Sequence, residues 1–317
     1  MARSKLSNTL LKIAERHGTL IVFAIIVIVA LIFLPKFRTT INALVVIRQF
    51  SMIAIVAIGQ GVVLISGGFD LSVGAIASLC GMATGYFLTS LGMPVGLGIL
   101  MGVMVGNLCG LFNGILVSFL RINPLIATLA SSWIFNGIIL VTTKGWPISN
   151  LPSSFAFLGQ GKILSVPVPI WLMIILTLFF TILLGKTVYG RNIYALGGSE
   201  ITSIFVGINV KLIKLSAFAV SGTLAGFAGI ILTSRLATAQ AGAAEQWTLP
   251  SVAAAVIGGL SLYGGEGKIY RVILGAALMG VISNILVLFR VSSYWQSLIS
   301  GFILITAVAI GAMQRSE

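Results

Sequence analysis

Two glycine–lysine pairs are the first candidates for chemistry, because a lysine that ends a glycine-rich loop is the pattern that binds nucleotide phosphates. Gly267-Lys268 lies in the stretch YGGEGKIYR. A phosphate loop also needs a glycine five residues before that glycine and a serine or threonine after the lysine, where this chain has Leu262 and Ile269. For the second pair, Gly185-Lys186, the required glycine is Phe180. We therefore predict that this chain has no nucleotide-hydrolysis site of its own.

Catalytic acids, bases and metal ligands are scarce along the whole chain. The 317 residues include six acidic residues, one histidine and two cysteines. The acids are scattered, mostly in loops, and His17 lies in a basic N-terminal segment. Cys80 and Cys109 lie inside apolar runs, where a thiol acts as a small hydrophobic side chain. We predict that the chain is not an enzyme and binds no metal or cofactor.

Asp70 is the acidic residue with the most suggestive surroundings, in the stretch SGGFDLSVG. A double glycine, Gly67-Gly68, interrupts an apolar region just before Asp70, and a new apolar run follows it. One interpretation is that Asp70 caps the following helix, since an aspartate can accept hydrogen bonds from the first free N–H groups. The other is that the broken helix lines a solute path, because irregular backbone inside a membrane is tolerated only within protein or at a cavity.

Neutral polar residues inside apolar runs are the remaining candidates for solute contact. Amides at these positions could hydrogen-bond a hydroxylated solute, and they could equally hydrogen-bond neighbouring helices. With the residues around the break, the tentative translocation path consists of Gln60, Gly67, Gly68, Asp70, Asn107, Asn113, Asn136 and Asn284.

The composition shows which kind of element must position these residues. The chain is 58% hydrophobic and 8% charged, with a mean hydropathy of +1.14, whereas a soluble domain carries about 25% charged residues. Continuous apolar runs favour helices over the alternating segments of a β-barrel. We predict an all-α polytopic membrane protein with about ten transmembrane helices. They lie near residues 19–34, 45–66, 71–91, 95–118, 122–143, 168–185, 215–234, 248–262, 272–289 and 297–313; the eighth is short enough to be re-entrant instead.

The basic residues indicate how these segments are oriented. The net charge of +13 favours topology signals over nucleic-acid binding, because no dense basic cluster with interleaved aromatic residues occurs. With the N-terminus inside, twelve lysines and arginines fall on the inner side and six on the outer side. Both termini are therefore predicted to be cytoplasmic. Residues 1–18 form a cytoplasmic segment, 19–313 a single transmembrane domain with an outer loop at 144–167, and 314–317 a cytoplasmic tail.

The fourth predicted helix has a glycine at every fourth position. Small residues at this spacing form a groove that lets a second helix approach closely. We predict helix packing at Gly98, Gly102, Gly106, Gly110 and Gly114.

One long hydrophilic interval, 186–214, interrupts the apolar runs on the predicted inner side. Its sequence is KTVYGRNIYALGGSEITSIFVGINVKLIK. We predict a short helix around Tyr194–Ile208, interrupted at Gly197-Gly198, with Glu200 near a helix start. Because no nucleotide site is found, this interval is the best place for external energy to enter; the alternative is a simple linker.

Taken together, the motifs resemble the permease subunits of the ribose-type sugar ABC importers. SGGFDLSVG is similar to that family's GGIDLSVG, YGRNIYALGGSE with GINV to its GRYIYALGGNE with GINV, and AAAVIGGLSLYGGEG to its AAVVLGGTSLAGGKG. SSYWQ near the last segment also fits. The resemblance covers roughly residues 20–313, with the motifs in the same order and at similar spacing.

The resemblance implies a permease in the bacterial inner membrane that imports a monosaccharide by alternating access. It implies broken helices in two inverted helix blocks. The implied partners are a cytosolic ATP-binding subunit that uses ATP and magnesium, an extracytoplasmic solute-binding protein, and a second permease, identical or related. The alternative is a stand-alone ion-coupled carrier that uses Asp70 or Arg48. The implied ATPase-coupling residues are Tyr189, Gly190, Arg191, Tyr194, Gly197, Gly198 and Glu200.

Overall fold

In the computed structural model of the chain, helices account for nearly all of the regular structure. It describes residues 2–292, 295, 298–299, 301–302 and 305–306, with side chains from residue 18 onward. A two-residue antiparallel pair, β1 (Lys162–Ile163) and β2 (Val166–Pro167), is the one sheet within these residues. The predicted all-α class is confirmed. The helices are α1 (Ala2–Phe33), α2 (Thr40–Ile65), α3 (Val73–Thr89), α4 (Val95–Ser118), α5 (Pro124–Thr143), α6 (Ala156–Gln160), α7 (Val168–Lys186), α8 (Val188–Gly198), α9 (Glu200–Phe205), α10 (Val210–Leu236), α11 (Thr248–Ile257) and α12 (Val272–Leu288).

Six helical stretches are long and apolar enough to cross a bilayer. They are α2, α4, α5, α7, α10 and the stretch Ile269–Leu288 that ends in α12. Gly18–Phe33 and α3 are apolar but shorter. A multi-pass helical membrane protein is therefore confirmed. The count of about ten spans and the cytoplasmic placement of both termini stay predictions, and the tenth predicted segment falls largely outside the described residues.

Helix α10 forms the centre of the bundle and packs against α2, α3 and α4. Its contact with α4 is made backbone to backbone at the glycines. A Cβ added at Gly106 would lie 2.6 Å from the Gly222 carbonyl oxygen, and one added at Gly110 would lie 2.3 Å from the Phe218 carbonyl oxygen. Larger side chains at these positions would push the two helices apart.

Helices α3 and α11 are the shorter apolar helices of the interior, and they begin side by side inside the bundle. A Cβ added at Gly74, in the first turn of α3, would lie 2.8 Å from the Thr248 hydroxyl, at the start of α11. At about 1.5 Å per residue, the ten residues of α11 are about 15 Å long, half of the hydrocarbon thickness. The predicted eighth segment is therefore not a full helical span, and the helix ends at Ile257 rather than near residue 262.

The C-terminal end of α11 has all four of its last carbonyl groups hydrogen-bonded. The N–H groups of Gly258, Gly259 and Leu260 donate to the carbonyls of residues 254, 256 and 255. The last carbonyl, of Ile257, accepts the hydroxyl of Thr19 on α1 at 2.9 Å. These bonds satisfy groups that a helix end otherwise leaves free.

A folded segment covers the end of the bundle opposite α8 and α9. It consists of a 3-10 turn (Ser153–Phe155), α6 and the β1–β2 pair, which precede α7. Ser234, near the end of α10, donates its hydroxyl to the Phe155 carbonyl and accepts from the Gly159 N–H at 2.8 Å. We call this end of the molecule the hairpin end, and the opposite end the coupling end.

Candidate functional site

The coupling end carries the predicted hydrophilic interval as two short helices, α8 and α9. Thr187, Ser199 and Asn209 precede α8, α9 and α10, and each side chain accepts an N–H from the first turn of the helix that follows. The predicted helix boundaries are wrong in detail. The first helix begins at Val188, Gly197 and Gly198 both lie within it, and the break falls at Ser199, whose extended backbone and hydroxyl start α9. Glu200 is the first residue of α9, as predicted.

The surface of α9 is apolar and unusually exposed. Ile201 is 70% exposed, Phe205 85% and Val206 68%. Beside them, Glu200 forms an ion pair with Lys214 at 2.5 Å. A six-residue helix gains little stability of its own, so its position depends on its caps and neighbours. Exposed apolar patches of this kind mark contact surfaces for other proteins or lipid.

Two tyrosines and one glycine hold α8 in place against the bundle. The Tyr194 hydroxyl donates to the Gly267 carbonyl at 2.8 Å, and the Tyr189 and Ser216 hydroxyls are hydrogen-bonded at 3.2 Å. Burial raises the pKa of the Tyr194 phenol, so it stays a proton donor at neutral pH. Gly190 passes the end of α7 so closely that an added Cβ would lie 2.1 Å from the Leu184 carbonyl oxygen. Predicted coupling residue Arg191 is exposed.

Three glycine motifs from distant parts of the sequence meet at one point of the coupling end. We call Gly67, Gly197, Gly264 and Gly265 the glycine junction. A Cβ added at Gly197 would lie 1.8 Å from the Ile65 carbonyl oxygen, and one added at Gly264 would lie 2.9 Å from the Gly197 carbonyl oxygen and from the Gly67 Cα. The Gly265 N–H donates to the Ile65 carbonyl at 2.9 Å. The α2–α3 break, α8 and the α11–α12 loop are therefore in direct backbone contact.

The sequence showed each of these glycine motifs but not their meeting. Each contains a glycine pair, and that shared feature is the signal by which the sequence singled them out. Gly264 and Gly265 have φ values of +91° and +74°, a conformation that favours glycine. Gly198 differs from its neighbour, because an added Cβ there meets nothing within 4 Å.

Asp70 lies at the centre of a buried polar cluster in the α2–α3 break. Its Oδ1 accepts the Ser72 N–H at 2.9 Å and the Ser72 hydroxyl at 2.6 Å, and its Oδ2 accepts the Ser221 hydroxyl of α10 at 2.8 Å. Asn113 of α4 donates to the Ser72 hydroxyl oxygen at 2.7 Å. In the amide orientation that satisfies both groups, Gln60 donates to the Asp70 carbonyl at 2.9 Å and accepts the Asp70 N–H at 3.3 Å. The cluster joins four segments.

This cluster bears on both interpretations of Asp70. The N-cap residue of α3 is Ser72, and Asp70 stabilises the break two residues earlier. The Asp70 side chain is fully buried, as are those of Gln60 and Asn113. Within the described residues, the Asn113 Oδ1 atom is buried without a hydrogen-bond partner. The structure thus brings three of the predicted path residues, Gln60, Asp70 and Asn113, together inside the protein.

The other predicted path residues lie apart from this cluster. Asn107 donates to the Thr223 hydroxyl of α10 at 3.1 Å, and Asn284 of α12 exchanges two hydrogen bonds with Asn42 of α2, both 3.0 Å. Asn136 is half-buried on α5. The contacts of Asn107 and Asn284 are helix-to-helix bonds, the alternative that the sequence left open.

Gly67 and Gly68 line a groove of about 670 Å³ that opens at the coupling end. Its walls come from the α2–α3 break, the α4–α5 loop, α9 and the start of α10. Arg121, Lys211 and Lys214 contribute positive charge to it, and Lys211 lies 5.6 Å from the Phe119 ring centroid. The groove places the break next to the exposed α9.

No group of three or more histidine, cysteine or acidic residues among the described residues is arranged to hold a metal ion. Cys80 and Cys109 are buried and unpaired. The absence of a cofactor stays a prediction.

Comparison with known proteins finds one matching family and several relatives that cover most of the chain. Residues 42–308 match the family described as branched-chain amino acid transport system / permease component. The ribose import permease protein RbsC of Haemophilus influenzae is 39% identical over 291 residues, covering 90% of each chain. That of Bacillus subtilis is 37% identical over 300 residues, covering 94% of this chain and 93% of its own.

A relative named for another sugar matches almost as well. The D-allose transport system permease protein AlsC of Escherichia coli is 35% identical over 297 residues, covering 93% of this chain and 91% of its own. No solved structure matches the chain.

Proposed function

The chain belongs to the family of branched-chain amino acid transport system / permease components, and on this premise we propose that it is the permease subunit of an ATP-driven sugar importer. In this role it moves a monosaccharide, a pentose, hexose or related polyol, across the bacterial inner membrane by alternating access. A separate cytosolic subunit hydrolyses ATP, and an extracytoplasmic binding protein delivers the sugar. A second permease, identical or related, completes the pathway.

The observation that best supports an external energy source is the exposed apolar surface of α9. Ile201, Ile204, Phe205 and Val206 form an exposed apolar contact surface at the coupling end, and the occupant we propose for it is the ATP-binding subunit. The same surface adjoins α8, which contacts the α2–α3 break at the glycine junction. An ATP-binding subunit seated on α9 would therefore act on the helix break through short, direct contacts.

A pair of matched substitutions tests this docking surface. Phe205 and Leu164 are almost equally exposed, at 85% and 83%, but lie at opposite ends of the bundle. Phe205→Asp should weaken binding of the ATP-binding subunit by about 2 kcal/mol or more, roughly thirtyfold, because a charge replaces a buried aromatic contact. Leu164→Asp should leave that binding unchanged. The measurement is co-purification in mild detergent, followed by titration with the purified ATP-binding subunit.

The outcomes for the unmodified chain and for the two variants test different parts of the proposal. If the unmodified chain never co-purifies with an ATP-binding subunit, the proposal of an ATP-driven importer fails. If both variants bind that subunit normally, the docking surface lies elsewhere. Loss of binding in Leu164→Asp alone would place the ATP-binding subunit at the hairpin end and reverse the proposed orientation.

An ion-coupled carrier needs an ionisable residue that faces the solute path. Asp70, one of the two candidates from the sequence, is enclosed by Ser72 and Ser221, so its geometry gives it no such role. Arg48, the other candidate, is half-buried on α2, and within the described residues its Nε atom has no hydrogen-bond partner. The direct test is uptake into vesicles. Uptake of ribose, allose or arabinose that persists without ATP and stops when the ion gradient is collapsed would overturn the proposal.

A further inference from the structure

We propose that the segment 238–247, irregular up to Ala244 and a 3-10 turn from Glu245 to Trp247, lines the path of the sugar, and that Gln240, Glu245 and Gln246 hydrogen-bond its hydroxyl groups as it passes. This inference rests on the proposed function and names the polyhydroxylated solute as ligand of a site that lies apart from the Asp70 cluster. Trp247 flanks the site at the start of α11.

The segment enters the bundle from the hairpin end and runs down along α3. Ala239 pairs with Ile148 there, and a Cβ added at Gly85 would lie 2.9 Å from the Ala239 side chain. Further along, the Ala244 N–H donates to the Ser78 hydroxyl at 3.1 Å. A Cβ added at Gly74 would lie 2.8 Å from the Glu245 carbonyl oxygen. The segment therefore follows α3 over most of its length, in the opposite direction.

These contacts place Glu245 deep within the bundle. Gly74 and Thr89, the last residue of α3, are fifteen residues apart, which is about 22 Å along the helix axis. The hydrocarbon core of a bilayer is about 30 Å thick. Glu245 thus lies well below the hairpin end, where α11 begins and continues towards the coupling end.

The side chains of this segment are polar and exposed at that depth. Gln240, Glu245 and Gln246 are all exposed, and Trp247 is half-buried. Within the described part of the chain, none of the three polar side chains has a hydrogen-bond or ion-pair partner. At the same depth, exposed side chains on α4 and α7 are apolar, for example Leu108 and Leu178.

An exposed carboxylate and two amides cannot face hydrocarbon without a large free-energy cost. Irregular backbone, as in residues 238–244, is likewise tolerated at membrane depth only inside protein or along a water-filled cavity. Both features are satisfied if the segment borders an aqueous path. A sugar hydroxyl can donate to the Glu245 carboxylate, and the amides can both donate and accept.

The chemistry suits transport better than tight binding. A few polar groups on one wall orient a hydroxylated solute, and their exposure to water keeps each contact weak.

The first experiment measures whether water reaches the segment. Gln246→Cys and Leu178→Cys are made in the full importer, both against the natural background of buried Cys80 and Cys109. A charged, water-soluble thiol reagent should modify the cysteine at 246 at least about tenfold faster than that at 178, because thiolate reaction needs water. Equal rates would overturn the inference, whatever the import assay shows.

The second experiment measures contact with the sugar. The importer is reconstituted with its ATP-binding subunit and binding protein, and D-ribose and 2-deoxy-D-ribose uptake are compared for Glu245→Gln and the control Glu266→Gln. Glu266 is an exposed acid in the α11–α12 loop. Glu245→Gln should lower ribose uptake per ATP about fivefold or more. It should lower deoxyribose uptake less, because removing the carboxylate and removing the sugar hydroxyl group disrupt the same contact and their effects do not add. Glu266→Gln should affect both sugars by less than about twofold.

The two experiments have separate outcomes that would overturn the inference. If Glu245→Gln affects both sugars equally, or no more than Glu266→Gln does, the hydroxyl contact is overturned. If the unmodified assembly imports none of ribose, allose or arabinose with ATP, the proposed function fails, while the cysteine experiment still decides whether the segment borders water.

Discussion

Replacing Gly197 by alanine removes the space for the closest contact between α8 and the end of α2. The added Cβ would lie 1.8 Å from the Ile65 carbonyl oxygen, and distances under 3.0 Å essentially never occur. The two backbones must therefore separate by about 1.2 Å along this line. The bond from the Gly265 N–H to the same carbonyl is 2.9 Å long, so a shift of this size takes it out of hydrogen-bonding range.

The expected free-energy cost has two parts. Overpacking a well-filled site costs about 1–3 kcal/mol, and a buried amide that loses its partner costs about 1–3 kcal/mol more. Gly198→Ala is the matched control, since it is the next residue of α8 and its Cβ meets nothing within 4 Å. Both variants share the gain of about 0.5–1 kcal/mol from alanine in a helix. The shared gain cancels, so the neighbouring variants should differ by about 2–6 kcal/mol.

The assay combines thermal unfolding of the detergent-purified importer with sugar uptake per ATP hydrolysed. We expect a lower unfolding midpoint and poorer coupling for Gly197→Ala, with Gly198→Ala close to the unmodified protein. The sequence put Gly197 and Gly198 together among the predicted coupling residues, and the close contact of Gly197 is what distinguishes the two. Tyr194→Phe removes only the hydroxyl that binds the Gly267 carbonyl and should reduce coupling in the same direction. Equal midpoints and equal coupling for the two alanine variants would refute the reasoning.

Two further substitutions test the packing and the buried cluster. Gly106→Leu should prevent assembly, because even a Cβ at this position would lie 2.6 Å from the Gly222 carbonyl oxygen. Gly96→Leu on the same helix is the control, since its side chain points into open space. Size-exclusion chromatography compares the two variants, and equal elution profiles would contradict the close approach of the helices. Asp70→Asn should retain most of the protein level, since Asn can still bond Ser72 and the Ser221 hydroxyl, but Asp70→Ala loses three bonds of about 1.5–3 kcal/mol each. Similar membrane levels of the two Asp70 variants would show that these bonds contribute little.

Continuous apolar runs made the long helices predictable. Helix α4 covers the predicted residues 95–118, and α7 and α12 each end within one residue of the prediction. These boundaries follow from composition, because a helix that faces lipid or protein on all sides has to be apolar throughout. Pro94 and Pro167 precede the first helical residues of α4 and α7 and mark their starts.

The same reasoning says little about the segment before α11. Residues 238–247 mix four polar residues with alanine, glycine and tryptophan and contain no long apolar run, so hydropathy leaves them between two predicted helices. Their depth depends on contacts with Ser78 and Gly74, more than 160 positions away in the sequence. No periodicity within the segment reports such contacts.

The sequence singled out individual residues of the site but did not show which residues from distant parts of the chain are in contact. Asp70 was singled out by the glycines before it, but its partner Ser221 is 151 residues away and looks like one of many small residues in a transmembrane helix. The glycine junction shows the same limitation. A glycine pair in a sequence signals a break or a close approach, and only the fold shows which backbone approaches.

The bond between Thr19 and the last carbonyl of α11 makes the first helix of the chain part of the end of a much later one. Helix α1 leaves the ribosome long before α11, so the Ile257 carbonyl acquires its partner only when segments 238 positions apart have come together. Until then the last carbonyl of α11 lacks its partner within the chain. The N-terminal helix therefore does more than anchor the chain. It also closes the end of a half-length helix, so deleting residues 1–19 should lower the thermal unfolding midpoint of the purified chain.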